Sequence, residues 1–233
     1  MTRKLSPEER RRQFMEAAIE IFAEKGYDNT SVRDIIDKVG VSKGGFYHHY
    51  ESKEELMEDI AEAMVEKMAV IIERIAGRED LSALEKLNQV ISRVNSFKVE
   101  KTSELTGLLF EIYSDEKNIK LESKLFSQAR EKAFPYFKAI IDEGIAGGSM
   151  KTDYPGEAAN FFLNLMMQYQ REVAKPFTEA IAERDREKLE EQKKKYRFLQ
   201  EVLEFVLGLD SGELVLEEVA CRTIDGMWER TKK

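Results

Sequence analysis

The sequence predicts an all-α protein with a short three-helix N-terminal unit and a longer helical C-terminal domain. Helix-capping signals recur along the chain, and apolar residues repeat at helical spacing between them. No alternating apolar run is long enough to form a sheet. A hydrophobic share of 42% with 35% charged residues argues against disorder and against a membrane span, so we expect a cytoplasmic protein.

The N-terminal helices are short and have clear stop signals. A capping box at residues 6–9 begins the first helix, and Gly26 ends it. A second helix follows Ser31 and stops at Gly40. A third short helical segment is expected over residues 43–49.

Longer helices follow in the middle of the chain. Capping boxes at 52–55 and 82–85 begin two of them, and the first ends near Gly77. Apolar spacing over 105–112 predicts a short helix. The next long helix contains Pro135, which we expect to kink or split it because proline removes a backbone hydrogen bond.

The last part of the chain joins apolar helices through a charged stretch. A strongly apolar helix is predicted to begin at 155–157. Residues 183–195 hold 11 charged residues out of 13 and are expected to form a solvated helix extension or loop. A helical stripe then resumes, and residues 210–213 are interpreted as the capping signal of the last helix.

Charge is unevenly distributed along the chain. The whole protein has a net charge of -8, yet residues 1–53 hold 10 Lys+Arg against 9 Asp+Glu. Residues 1–12 hold five basic residues against Glu8 and Glu9. Overall acidity therefore does not exclude a nucleic-acid partner, because binding depends on the local field. The alternative is that this basic end only aids solubility.

Residues 31–50 combine a short helix, a glycine turn and a second short helix, which is the pattern of a helix-turn-helix. Apolar positions with the spacing to form one small core are Ile35, Ile36, Val39, Val41, Phe46 and Tyr50. The positions left outward carry no acid and are Lys43, Gly44, Gly45, Tyr47, His48 and His49.

An outward face of this composition suits the groove of a DNA duplex. Glycine lets a backbone approach closely, while tyrosine, histidine and lysine can donate to phosphates or base edges. Lys53, in the first turn of the next helix, adds a cation. The competing interpretation is a helical-bundle interaction module that does not bind DNA, in which this face is an ordinary aromatic-rich surface.

Residues 6–60 resemble the DNA-binding domain of TetR-family transcriptional regulators. The matching stretches are 22–27, 30–35, 40–50 and 52–56. The resemblance implies a DNA-binding domain at 1–53 and a ligand-binding and dimerisation domain at 54–233. It further implies a homodimeric repressor on a palindromic operator, released when a small molecule enters the second domain.

The resemblance also implies roles for individual positions. Thr30 and Ser31 would cap the second helix against a phosphate, and Ser42, the expected cap of the third helix, is counted among the DNA-binding residues. Base edges would be met by Lys43, Gly44, Gly45 and His48, and phosphates by Tyr47, His49 and Lys53. Gly45 departs from the family, which often has Thr, Ala or Asn there, so the operator sequence of relatives cannot be transferred.

The last helices are expected to hold the dimer interface. The candidates are Phe161, Phe162, Leu165, Leu216, Val219, Ile224 and Trp228. Their apolar content exceeds what one core stripe requires, although a fully buried core of a single chain is the alternative.

Candidate pocket residues are those where the middle helices could converge: Phe97, Leu109, Tyr113, Phe126, Phe137, Met166 and Tyr169. Such a lining favours a hydrophobic effector, although aromatic and methionine stripes are more often simply core.

An enzymatic function is not expected. The two histidines are adjacent, so they point about 100° apart on a helix and cannot share one ligand. No zinc-protease, di-iron or P-loop signature is present. The single cysteine, Cys221, excludes an internal disulfide. We therefore predict no catalytic residue, no metal and no cofactor.

Overall fold

The computed structural model describes residues 5–100 and 119–230, without the side chains of 23, 94–100, 119–122, 167–175, 177, 178, 227 and 230. The described residues form helices and no strand. The helices are α1 Pro7–Lys25, α2 Val32–Val39, α3 Lys43–Tyr47, α4 Lys53–Ala76, α5 Ala83–Glu100, α6 Ile119–Ala146, α7 Pro155–Ala182, α8 Arg186–Leu207 and α9 Leu216–Arg230. The all-α prediction is confirmed, and the helix predicted at 105–112 lies outside the described residues.

An N-terminal core joins α1, α2, α3 and the first turns of α4. Its buried members are Phe14, Ala18, Ile21, Phe22, Ile35, Phe46, Tyr50, Leu56, Met57 and Ile60. Removing these side chains from water supplies the main favourable term in folding this unit. The predicted domain boundary at residue 53 thus coincides with the start of a helix that contributes to this core.

A second, larger core lies among α4 to α9. It includes Ile72 and Ile75 near the end of α4. One continuous helix therefore reaches from the N-terminal core to the central core. A smaller cluster formed by Ala180, Leu189 and Ile224 lies where α7, α8 and α9 meet.

Local capping explains most helix boundaries, and the prediction at 6–9 is confirmed in both directions. The Ser6 side chain accepts from the backbone of Glu9, whose carboxylate accepts from the Ser6 backbone. The box at 82–85 is likewise reciprocal. At 52–55 the pattern is altered, because the Glu55 carboxylate accepts from Glu51 N and not from Ser52 N.

Four expectations about the helices need correction. The third helix ends at Tyr47, before His49. Of the two effects predicted for Pro135, a split is excluded because α6 is continuous through it, and a kink stays a prediction. Residues 183–195 are not wholly solvated, since α8 begins inside them and buries Leu189 as part of the small cluster. Residues 210–213 close a turn before α9, because the Glu213 carboxylate accepts from Asp210 N at 2.7 Å.

Candidate nucleic-acid interface

A rigid turn presents α3. Gly40 ends α2 in the left-handed region at φ +74°, a conformation that favours glycine. Ser42 then begins α3, its hydroxyl accepting from Gly45 N at 3.1 Å. On the inner side Phe46 is fully buried and meets the Phe14 ring edge-on, with centroids 5.4 Å apart. The Ser42 cap and the buried Phe46 side chain therefore fix the position of α3.

The outer side of α3 is exposed as predicted. Lys43, Gly44, Tyr47 and His48 all face solvent, and Gly45 is half-buried. The Lys43 ammonium lies 5.7 Å from the centroid of the Tyr47 ring, so these two side chains form one ridge. A positively charged ridge next to bare backbone can contact both phosphates and base edges.

His49 is less exposed than the sequence suggested. Its ring lies 5.8 Å from the Phe14 ring and 5.1 Å from the His48 ring, measured between centroids. Desolvation lowers the pKa of His49, and the nearby charges of His48, Arg11 and Arg10 lower it further. The imidazole therefore sits in a cationic neighbourhood that an approaching phosphate would relieve.

Ser31 caps α2 as predicted, whereas Thr30 does not. Thr30 is buried, and its hydroxyl donates to Gly26 O at 2.8 Å, so it closes the loop after α1 and does not cap α2. Ser31 is the cap of α2, but its hydroxyl donates to the Asp34 carboxylate at 2.6 Å. Lys25 also binds that carboxylate at 2.7 Å and, with Ser31, holds the pKa of Asp34 well below its ordinary value.

Lys53 is engaged inside the protein. Its ammonium donates to Tyr27 O at 2.6 Å and Thr30 O at 2.9 Å, and lies 4.0 Å from the centroid of the Tyr27 ring. Lys53 therefore has a structural role, and its role as a phosphate ligand stays a prediction. Lys53 ties the start of α4 to the loop between α1 and α2.

Arg11 belongs to a network that the sequence did not reveal. Its guanidinium bonds the Asp59 carboxylate at 2.9 Å and lies 5.1 Å from the centroid of the Tyr50 ring. The Tyr50 hydroxyl donates to the same carboxylate at 2.6 Å, and burial raises the pKa of Tyr50. This contact braces α1 and the end of the α3 turn against α4.

Three of the predicted dimer residues are buried within the chain. Phe162 and Leu216 belong to the central core, and Ile224 belongs to the small cluster. Leu165 and Trp228 pack on these clusters, and Val219 is partly buried. Only Phe161 stands exposed, because it points away from the core that its neighbour fills.

Exposed aromatic residues that the sequence analysis missed lie on α8. Phe198 is 63% exposed and Phe205 is 85% exposed. Their spacing of seven residues places them on one helix face, and this spacing in the sequence could have indicated a second apolar face on α8. The stripe through Leu199 and its partners faces the core instead.

The pocket candidates are only partly described. Phe137 is buried in the central core with its ring 5.2 Å from Phe162, and Met166 packs against that core. Phe126 is partly buried on α6. Leu109 and Tyr113 lie outside the described residues, as do the side chains of Phe97 and Tyr169.

Across residues 5–100 and 119–230, no helix has the length and apolar character needed to cross a bilayer. Nor does the described part of the chain gather three potential metal ligands of the His, Cys, Asp or Glu type.

Comparisons with known proteins agree with this geometry. The model of the family "Bacterial regulatory proteins, tetR family" matches residues 14–60. The HTH-type transcriptional repressor KstR2 of Mycolicibacterium smegmatis is 31% identical over 152 residues, covering 63% of this chain and 70% of the relative. The fatty acid metabolism regulator protein of Bacillus subtilis is 28% identical, covering 60% and 70%.

A solved structure gives the same architecture. The SmeT–triclosan complex aligns over 89% of this chain and 95% of its own, with a TM-score of 0.63 and 17% identity, which is a likeness of fold. The match of the helix-turn-helix and the similarity to KstR2 lead to one conclusion. The chain belongs to the TetR family of bacterial regulatory proteins and is a DNA-binding transcriptional regulator, not an enzyme.

Proposed function

We propose that this regulator is a cytoplasmic repressor that binds a palindromic operator as a homodimer through residues 1–53 and is released by a small hydrophobic effector bound within residues 54–233. The observation that carries this proposal is the acid-free, exposed face of α3 on its fixed turn. A two-fold dimer presents that face twice and so reads two symmetric half-sites. The relative KstR2, named a repressor, supports repression over activation.

The proposed dimer forms through the aromatic faces of α7 and α8. Phe161, Phe198 and Phe205 leave large apolar rings in water within a single chain. Covering them with a second copy removes that area from water, which is the main driving force for association. This face keeps Phe161 from the set predicted from sequence and leaves out Phe162, Leu216 and Ile224, which are buried within the chain.

Substitution of one ring tests the dimer. Phe205→Glu places a charge in the proposed contact, and we expect monomers in analytical ultracentrifugation together with loss of operator binding. Val70→Glu is the matched control, since Val70 is an exposed apolar residue on α4. A Phe205→Glu variant that stays dimeric would place the interface elsewhere.

Selection from random duplexes tests DNA recognition. We expect the protein to enrich a palindrome, to bind it with two chains per site, and to lose affinity steeply as salt rises. Lys43→Ala should weaken binding about tenfold or more if Lys43 reads a base. Lys194→Ala removes an equal charge from the exposed surface of α8 and should change little. Equal losses in the two variants would mean that only net charge matters.

The effector is proposed to be hydrophobic because the middle helices converge on apolar side chains such as Phe137 and Met166. The name of the Bacillus subtilis relative and the SmeT complex suggest a fatty acid and triclosan as first probes. Ligand and operator must weaken each other's binding by the same factor. An apolar probe that binds without releasing the operator would contradict the release step.

A further inference from the structure

Two adjacent glycines lie in the five-residue helix α3, whose outer face is proposed to bind DNA. Glycine is the poorest helix former after proline, so a pair of them weakens α3. Neither Gly44 nor Gly45 adopts a positive φ, unlike Gly40 in the preceding turn. Their backbone conformation is therefore open to any residue.

The space around them does not require glycine either. A Cβ at Gly44 would find only the Ser42 hydroxyl oxygen, at 3.9 Å. A Cβ at Gly45 would lie 3.4 Å from Val41 Cβ and 3.5 Å from that oxygen, which are ordinary contacts. Gly208 shows the opposite case, because a Cβ there would lie 2.5 Å from Lys151 O. The fold of the free protein accommodates alanine at both positions of α3.

We propose that Gly44 and Gly45 determine specificity by keeping a strip of α3 bare for the methyl group of a thymine in the major groove. The strip lies beside the ridge of Lys43 and Tyr47, whose donors are free to fix the neighbouring contacts. This inference rests on the proposed operator binding and adds which group of the DNA the glycine strip of α3 contacts.

The chemistry of the strip selects the thymine methyl. Bare backbone offers no side-chain donor or acceptor, so it cannot read the hydrogen-bonding pattern of a base edge through side chains. It offers apolar contact and space, and the C5-methyl of thymine is the apolar group that the major groove projects. An added Cβ would occupy the space that this methyl fills.

The test combines protein and DNA changes. The probes are the operator selected by the wild-type protein and versions in which single thymines become uracil, which removes the methyl and keeps the pairing. The variants are Gly44→Ala, Gly45→Ala and, as a matched control, Gly226→Ala, a helical glycine of α9 whose added Cβ meets open space. Thermal or chemical unfolding is measured for each.

We expect both α3 variants to fold and to be slightly more stable than the wild type, because alanine is a better helix former than glycine. The equilibrium constant for unfolding should be up to about fivefold smaller. Gly45→Ala or Gly44→Ala should lose tenfold or more in affinity for the thymine operator. At one thymine, uracil should weaken the wild type about fourfold, as expected for one methyl. When that thymine is replaced by uracil, the affinity loss caused by the alanine substitution should be at least threefold smaller.

Equal affinity of the alanine variants and the wild type would overturn the inference, as would the same alanine loss on thymine and uracil DNA. An equal loss in Gly226→Ala would also overturn it. A wild-type protein that selects no operator would overturn the proposed function itself. Selection of an operator that is indifferent to both glycines would overturn only this inference.

Discussion

The helix starts of the N-terminal unit and the loop before the last helix of the C-terminal domain are fixed over very different distances along the chain. In the N-terminal unit, helix starts are fixed by partners three residues apart, such as Ser31 with Asp34 and Ser42 with Gly45. In the C-terminal domain, the Asn88 side chain donates to Glu213 O at 2.7 Å and accepts from Val215 N at 3.1 Å, across more than a hundred residues of sequence. Local caps, together with the contact between Phe14 and Phe46, therefore place the candidate DNA-binding face of α3, whereas distant contacts decide which apolar residues of the C-terminal domain are exposed.

The largest expected effect separates core from surface on α7. Phe162→Ala should lower the free energy of unfolding by about 3–5 kcal/mol, because it leaves a cavity in the central core. Phe161→Ala, at the adjacent position, should change that quantity little and should instead weaken dimerisation. Denaturant unfolding and ultracentrifugation of both variants measure the two effects. Similar losses of unfolding free energy in the two variants would mean that Phe161 also packs against the core.

A buried carboxylate tests the long-range contacts of the C-terminal domain. Glu204 Oε1 accepts from Gly212 N at 3.0 Å, Leu214 N at 2.9 Å and the Gln200 amide at 3.0 Å. Glu204→Ala leaves these donors unpaired, of which those of Gln200 and Leu214 are buried, and should cost about 2–4 kcal/mol of unfolding free energy. Glu204→Gln keeps an acceptor and should cost less. If both variants lose the same amount, the carboxylate charge and not the hydrogen bonding holds the loop.

Sequence patterns predicted most helices because helix boundaries are set by residues three or four apart. They predicted the outward set of α3 for the same reason, since Phe46 and Gly40 fix which side faces out. They did not distinguish Phe161 from Phe162, or reveal Phe198 and Phe205, because an apolar residue looks the same whether its partner is its own chain or another.

For a related reason, sequence patterns did not show which polar side chains are already hydrogen-bonded within the fold. Lys53 has the chemistry of a phosphate ligand, but two carbonyls of a distant loop already accept its hydrogens. Thr30 has the chemistry of a helix cap, but its hydroxyl is buried against Gly26. Residue type states what a side chain can bind, and only the fold shows whether that capacity is already used.

A pair of lysines sharpens this distinction. Lys53→Ala should cost about 1–3 kcal/mol of unfolding free energy, because it removes a cation that binds two carbonyls. Lys43→Ala should leave stability nearly unchanged, since Lys43 is exposed, and should weaken DNA binding. Unfolding curves and DNA affinities of both variants form the comparison. A Lys53→Ala variant of full stability that binds DNA poorly would restore its role as a phosphate ligand.

The smallest expected effect is a pH dependence with opposite signs for folding and for DNA binding. The pKa of His49 is lowered in the free protein, chiefly by desolvation. The unfolded chain therefore binds the proton more readily, and stability should fall as pH drops through the ordinary histidine pKa of about 6.5.

A nearby phosphate favours the imidazolium, so operator affinity should rise between about pH 8 and pH 6. His49→Gln should reduce both slopes, while His48→Gln, which leaves the burial of His49 in place, should retain most of the stability slope. If stability and operator affinity of the wild-type protein both fell as pH drops, no phosphate would approach His49. The contact surface would then be confined to the ridge of Lys43 and Tyr47 and the glycines of α3.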